Sequence, residues 1–183
     1  MDWDTLLAEV NDAFVVTSAG LSPWPRPRGP DESPREEEYS RCLDPAKYRY
    51  VGTRMDAWAT VLVGRGLATV TDVAVAEAER VWPHSRHPRV SALTVLTPVK
   101  TGALKLFSAR TWLEDVLDAC LLLGVRGLVF DEFLDCYCDA CDWGSDGLVE
   151  LVDDSVRNIV SGRCLRAGRN PPSTEVIRGE AWI

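Results

Sequence analysis

No apolar run in the 183-residue sequence approaches the roughly 20 residues that a bilayer-spanning helix needs. The start, Met1-Asp2-Trp3-Asp4, lacks the positively charged and apolar segments of a secretory signal. These absences predict a protein with no membrane partner and a cytoplasmic location. In a reducing cytoplasm, cysteines are more often buried residues, metal ligands or redox thiols than structural disulfides.

Positive charge is almost absent from residues 114–154, which hold twelve acidic residues and one basic residue, Arg126. The formal charge of this stretch is −11, whereas that of the whole chain is −8. Lys and Arg contacts to phosphate supply most non-specific affinity for nucleic acid, and we therefore predict no nucleic-acid partner here. Asp153 and Asp154 are expected on the exposed side of a helix.

Catalytic signatures are also missing. The sequence contains no nucleophile elbow, no Walker loop and no dinucleotide-binding fingerprint. Its two histidines, His84 and His87, lie between prolines in a predicted loop, where they lack the helical spacing of a two-histidine metal site. The absences favour a non-enzymatic protein.

Three of the six cysteines stand together in Cys136-Tyr137-Cys138-Asp139-Ala140-Cys141. Residues 136–142 are called the cysteine turn below. An extended pair Cys136 and Cys138 points its side chains the same way, and one turn of chain brings Cys138 and Cys141 together. Since Zn²⁺ takes four ligands and cysteine thiolates are common among them, we predict a metal site with Cys136, Cys138 and Cys141 as ligands. Candidates for the fourth ligand are Cys164, His84, His87, an aspartate and water.

Two other interpretations of the cysteine turn stay open. Cys138 and Cys141 form the only comfortable local disulfide pair, which would suit redox chemistry. A reactive thiolate needs nearby positive charge, however, and Asp135, Asp139 and Asp142 bring negative charge instead. A bound cation would supply the missing charge, which ranks metal binding above redox chemistry. In the third interpretation the thiols are reduced and carry no ligand.

The order of hydrophobic patterns predicts one domain, residues 1–183, with an α+β fold. N-terminal helices precede a mainly antiparallel sheet, and one helix follows the cysteine turn. Cys42, Cys120 and Cys164 stand singly and are predicted core residues. The predicted elements are a helix from Trp3 that ends before Gly20, a proline-rich extended segment at about 21–37, a helix from Asp44 to Gly64, a short helix from Thr71 to Arg80, strands at 90–99 and 104–113, a bent strand or hairpin at 121–129, a helix at 145–162, and strands at 163–166 and 175–183.

Residues 135–142, Asp-Cys-Tyr-Cys-Asp-Ala-Cys-Asp, resemble the Asp-Cys-Gly-Cys-Asp-Ala-Cys-Asp motif of an actinobacterial family of unknown function. The resemblance extends to residues 38–41, 44–45 and 160–162 and covers most of the chain. Tyr137 stands where that motif has glycine, which requires the turn to accommodate a Cβ atom. Cys42 stands where an apolar residue is usual. The resemblance implies no activity and gives weight to the three clustered cysteines.

The sequence therefore predicts a cytoplasmic, non-enzymatic protein whose cysteine turn binds Zn²⁺ or a similar ion and which acts through a protein partner. Its oligomeric state is left open. One alternative is a thiol redox enzyme or redox sensor that uses Cys138 and Cys141. Another is an immunity-type or inhibitor-type protein that presents the acidic residues of 114–154 to a basic partner.

Overall fold

The computed structural model describes residues 2–29, 31–77, 90–125, 128–132, 137–167 and 174–183. Helical and strand segments alternate little, as the hydrophobic patterns predict. The α-helices are α1 (Trp3–Thr17), α2 (Arg49–Gly64) and α3 (Gly144–Val160). The strands are β1 (Ala68–Val73), β2 (Val90–Pro98), β3 (Leu106–Leu113), β4 (Val116–Val125), β5 (Leu128–Glu132), β6 (Arg163–Ala167) and β7 (Thr174–Arg178).

The strands form a curled antiparallel sheet in the order β1-β2-β3-β4-β5 and a separate pair, β6-β7. Each strand of the larger sheet pairs with its neighbour in sequence, the usual arrangement for consecutive antiparallel strands. The predicted α+β class, with helices first and one helix after the cysteine turn, is confirmed. In the part of the chain described, no helix combines the length and apolar character that membrane crossing requires.

The apolar stretch at 121–129 is a hairpin rather than one bent strand, since β4 and β5 pair through Val125 and Leu128. The strands predicted at 163–166 and 175–183 are present as β6 and β7, and β7 already ends at Arg178. Local β-branched and apolar patterning was sufficient to place these strands.

The short helix predicted from Thr71 to Arg80 is wrong in its first part. Residues 68–73 form β1, which pairs with β2 from Ala68 opposite Pro98 to Val73 opposite Leu93. Of the described residues in the predicted range, 75–77 are helical. Strand pairing outweighs the N-cap signal of Thr71-Asp72, because β-branched residues suit a sheet edge.

The proline-rich segment has no helix or strand over its described residues 21–29 and 31–35. It ends slightly earlier than predicted, because a 3-10 helix occupies Glu36–Ser40. The Arg35 backbone N–H donates to the Glu38 carboxylate at 3.1 Å, which caps this helix. A second 3-10 helix, Pro45–Tyr48, leads directly into α2.

Helix α2 lies at the centre of the molecule and contacts α1, α3 and β4. Its buried face carries Met55, Trp58 and Leu62, and the Trp58 ring stacks on Trp3 of α1 with centroids 5.0 Å apart. These side chains belong to one cluster that also includes Leu106 of β3. The core is therefore a helical layer packed on one face of the sheet.

A charged pair is enclosed between α2 and α3. Arg54 is only 2% exposed, and its Nε and Nη2 atoms each donate to the Asp153 carboxylate at 2.8 Å. The Trp58 indole N–H donates to the same carboxylate at 2.7 Å. The expectation that Asp153 is solvent-exposed is therefore wrong, whereas Asp154 is exposed. A bidentate pair of this kind fixes the register of the two helices.

Candidate functional site

The cysteine turn connects the larger sheet to α3. A 3-10 helix spans Asp139–Cys141, and the Cys141 backbone N–H donates to the Cys138 carbonyl at 3.0 Å. Cys138 is buried and Cys141 is half-buried. The two thiols thus belong to one turn of chain, which suits both the metal and the redox interpretation.

Part of the predicted site is not described. Cys136, His84 and His87 lie outside the described residues, and so do the side chains of Cys120 and Cys164. Among the described side chains alone, no three His, Cys, Asp or Glu residues are grouped as metal ligands would be. Because the predicted ligand set includes Cys136, zinc binding stays a prediction.

Tyr137 holds the turn against the sheet. Its φ of +51° lies in the left-handed region that favours glycine. The side chain is buried and exchanges two hydrogen bonds with Leu121 of β4: the Leu121 N–H donates to the hydroxyl at 3.2 Å, and the hydroxyl donates to the Leu121 carbonyl at 3.3 Å. Burial of the ring and these bonds offset the backbone strain.

We expect Tyr137→Phe to lower the free energy of unfolding by about 1–2 kcal/mol, because it leaves polar groups of β4 without their hydroxyl partner. Tyr39→Phe is the matched control, since Tyr39 is 55% exposed. Its effect should stay within about 0.5 kcal/mol. Urea unfolding measures both changes, and equal effects would show that the buried hydroxyl contributes nothing.

Asp142 is the last residue of the turn, and hydrogen-bond donors surround its carboxylate. Its carboxylate accepts from Lys47 Nζ at 2.6 Å, from Trp24 Nε1 at 2.9 and 3.1 Å, and from the Gly144 backbone N–H at 2.8 Å. The residue is 4% exposed. Its charge also lies at the N-terminus of α3, where the helix dipole stabilises an anion.

Asp139 joins the turn to the segment that precedes α2. Its backbone N–H donates to the Arg41 carbonyl at 2.9 Å. Its carboxylate accepts from Arg41 Nε and from the Leu43 backbone N–H, both at 3.2 Å. Through these three hydrogen bonds, Arg41 and Leu43 hold the turn in place.

Arg28 of the proline-rich segment closes the turn from another direction. Its Nη2 atom donates to the carbonyls of Asp139 at 3.1 Å and Ala140 at 2.5 Å, and its Nη1 atom pairs with Glu38 at 3.0 Å. Trp24 anchors the same segment, because its backbone N–H donates to Ser145 Oγ at 3.1 Å and its carbonyl accepts from the Ser145 N–H at 3.0 Å. The segment is thus a strap over the start of α3.

The expectation that positive charge is missing around the cysteine turn is wrong. Arg28, Arg41 and Lys47 contact it, although 111, 98 and 95 residues separate them in sequence from their partners in the turn. Asp139 and Asp142 already have protein cations and need no bound metal to balance their charge. Sequence reasoning missed these residues because a charge count over one stretch of sequence does not include residues that are distant in sequence and close in space.

Cys42 packs against the main core cluster and is half-buried rather than fully buried. Burial raises the pKa of its thiol to about 11, and the negative charge of Asp139 acts in the same direction. The thiolate, which is the reactive form, is therefore scarce near neutral pH.

At about pH 8, we expect iodoacetamide to alkylate Cys42 at least about tenfold more slowly in the folded protein than in the urea-unfolded chain. The raised pKa lowers the thiolate fraction in the folded protein by more than it raises the nucleophilicity of each thiolate. Peptide mass spectrometry follows the modification. The folded-state rate should rise with pH up to about 11. A rate that levels off near pH 9 would contradict the assignment.

The outer side of α3 is acidic and partly apolar. Asp146, Glu150 and Asp154 are exposed, and none makes an ion pair with a described residue. Trp143, at the start of the helix, is 59% exposed and Leu151 is 46% exposed. Helical periodicity places Asp146, Glu150, Leu151 and Asp154 on the solvent-exposed side of α3. We call these four residues and Trp143 the α3 face.

A family of unknown function, DUF6226, matches residues 10–180. No curated protein and no solved structure matches the chain. The match agrees with the resemblance as far as a family of unknown function is concerned; the actinobacterial origin and the eight-residue motif stay predictions. Since the match spans nearly the whole sequence, the chain belongs to the DUF6226 family.

Proposed function

We propose that the protein is a non-enzymatic, cytoplasmic binding protein that docks a basic segment of a protein partner on the α3 face. The observation that carries the proposal is the contrast between two sets of carboxylates. Asp139 and Asp142 in the turn have protein cations as partners, whereas Asp146, Glu150 and Asp154 have none among the described residues.

The spacing of the unpaired carboxylates supports this role. Asp146, Glu150 and Asp154 follow one another at intervals of four residues, where like charges on a helix destabilise it by about 0.2–0.5 kcal/mol per pair. Lys or Arg side chains of a partner would relieve that repulsion. They would also speed association by electrostatic steering.

Trp143 supplies an apolar anchor beside the charges. It remains 59% exposed although Arg26 Cζ lies 5.4 Å from the centre of its ring. Trp and Arg are the residue types most enriched among those that dominate binding energy in protein interfaces. The partner that fits the α3 face is therefore a basic segment with at least one apolar side chain.

An affinity-capture comparison tests the proposal. The test variant carries Asp146→Asn, Glu150→Gln and Asp154→Asn; the control variant carries Asp12→Asn, Asp31→Asn and Asp115→Asn, which lie outside the α3 face and are exposed. Both change the net charge equally. We expect a basic protein that the wild type and the control retain and that the test variant loses by at least about tenfold. Equal retention by all three proteins would refute the proposal.

Zinc binding by Cys136, Cys138 and Cys141 is a second, independent part of the proposal. The placement of Cys138 and Cys141 in one turn supports it, since such a turn can bring two thiolates to one ion. The ion would hold the turn that leads into α3. Elemental analysis of protein purified without added metal should find about one equivalent of zinc, lost in Cys138→Ser. Less than about a tenth of an equivalent would reject this part.

The redox alternative uses the same two thiols and is distinguished by mass mapping. A redox protein must form a reversible Cys138–Cys141 disulfide at cytosolic potentials. We expect both thiols to remain reduced after equilibration in oxidised and reduced glutathione at cytosolic ratios, so that both are alkylated once the protein is unfolded. A cross-linked Cys138–Cys141 peptide under those conditions would favour the redox role over zinc binding.

A further inference from the structure

A cavity of about 250 Å³ lies between α2 and the strands β2, β3 and β4. Apolar side chains line part of it, and five polar residues line the rest: Asp56, Thr94, Ser108, Arg110 and Asp118. The mixture of an apolar wall with a few converging polar groups is typical of small-molecule sites. The cavity is remote in sequence from the cysteine turn and the α3 face.

Asp118 enters the cavity from an irregular stretch of β4. The register between β3 and β4 shifts here, since Thr111 pairs with Cys120 whereas Leu113 pairs with Val116. Extra residues of β4 are accommodated as a bulge, and Asp118 has a φ of +59°. Bulges and strained residues of this kind commonly aim a side chain at a functional site.

A second irregularity meets the first across β3. The register between β2 and β3 shifts between Val90 and Ala92, at Ser91. The Ser91 hydroxyl donates to the Asp118 carboxylate at 2.5 Å. Two register shifts, one on either side of the central strand β3, therefore place the hydrogen-bonded pair Ser91 and Asp118 at the edge of the cavity. A sheet with regular strand pairing would contain neither shift.

Arg110 is the cation of the cavity, and its charge is already balanced. Its Nη2 atom donates to the Asp56 carboxylate at 2.6 Å and to the Gly52 carbonyl at 2.7 Å. A Cβ atom on Gly52 would overlap the guanidinium, which explains a glycine inside α2. Asp118 makes no ion pair with any described residue. The described charged side chains that line the cavity, Asp56, Arg110 and Asp118, therefore carry one net negative charge.

We infer that this cavity is a binding site for a small organic cation, a primary amine whose ammonium group pairs with Asp118. The Ser91 hydroxyl donates a hydrogen bond to this carboxylate, and no described residue pairs with it as a cation. An ammonium group would supply that positive charge. Ser108 is 7% exposed and its hydroxyl makes no hydrogen bond within the described residues, which leaves it available to a polar group of the ligand. The volume limits the ligand to a molecule smaller than most drugs.

Ligand-observed NMR with defined probes tests this inference. The probes are ethanolamine, putrescine and histamine, with succinate as an anionic comparison. We expect at least one amine to bind and succinate not to bind. Asp118→Asn should weaken amine binding at least about tenfold, because it removes the carboxylate charge that no described residue balances. Asn tolerates a positive φ, which preserves the bulge.

Asp115→Asn is the matched control, since Asp115 is exposed in the neighbouring turn between β3 and β4. It should leave amine binding unchanged. Backbone amide shifts caused by the bound amine should centre on Ser91, Ala92 and Asp118. Three results would each overturn the inference. The first is no binding of any amine at about 10 mM, which would place every Kd well above the millimolar range. The second is equal binding by wild type and Asp118→Asn, and the third is preferred binding of succinate.

Discussion

Asp153→Ala is expected to lower the free energy of unfolding by about 3–5 kcal/mol, the usual effect of removing one partner from a buried ion pair. The substitution leaves the Arg54 guanidinium buried without its partner charge, because Arg54 is 2% exposed and donates two hydrogen bonds to Asp153. The indole N–H of Trp58 loses its acceptor as well. Urea unfolding followed by circular dichroism measures the change.

Asp154→Ala is the control for this prediction, because Asp154 neighbours Asp153 on α3 and is exposed. It should change stability by no more than about 0.5 kcal/mol. A loss below about 1 kcal/mol for Asp153→Ala would mean that Arg54 finds water or another acceptor, and the pair would then not fix α2 against α3.

The second large effect is expected at the cysteine turn. Asp142→Ala removes the acceptor of Lys47, Trp24 and the Gly144 N–H. We expect a loss of about 2–3 kcal/mol, less than for Asp153 because the Lys47 side chain is 18% exposed and regains some hydration. Asp142→Asn, which keeps an oxygen but loses the charge, should cost about 1–2 kcal/mol.

Asp146→Ala serves as the control for Asp142. Asp146 is an exposed carboxylate in the first turn of the same helix. Its removal should cost at most about 1 kcal/mol, because relief of the repulsion from Glu150 offsets part of the lost interaction with the helix dipole. If Asp142→Ala and Asp146→Ala lowered the free energy of unfolding equally, the buried hydrogen bonds of Asp142 would contribute nothing beyond its interaction with the helix dipole.

Much of the fold could be predicted from local sequence. Amphipathic spacing predicted α1 and α3, and turn residues between apolar runs predicted the β2–β3 hairpin. The error at Thr71–Arg80 arose because the cap-like Thr71-Asp72 belongs to β1, whose pairing with β2 is a tertiary effect. The residues around Thr71 carry no information about β2, the strand with which β1 pairs.

The chemistry of the sites was harder to predict than the fold. Charge counting correctly identified an acidic stretch but could not separate Asp142, which is buried and paired, from Asp146, which is exposed. The neutralising groups Arg28 and Lys47 come from distant segments. Asp118 was equally hidden, since a register shift between two strands leaves no signature in one sequence.

These distinctions change what the acidic stretch means. Its buried members stabilise the turn and the α2–α3 contact, and its exposed members on α3 are available to a partner. The proposed function depends on the second group alone. Loss of a residue of the first group should lower the free energy of unfolding by about 2–5 kcal/mol, whereas loss of the second group should weaken binding without a large change in stability.

The most direct test of the proposed function is the association rate of the captured basic partner, measured by stopped flow at about 50 and about 500 mM salt. We predict that the wild-type rate falls at least about tenfold at high salt, because screening removes electrostatic steering. The variant with Asp146→Asn, Glu150→Gln and Asp154→Asn should associate slowly at low salt and depend little on salt. Identical rates and salt dependences for the two proteins would contradict a docking role for the α3 face.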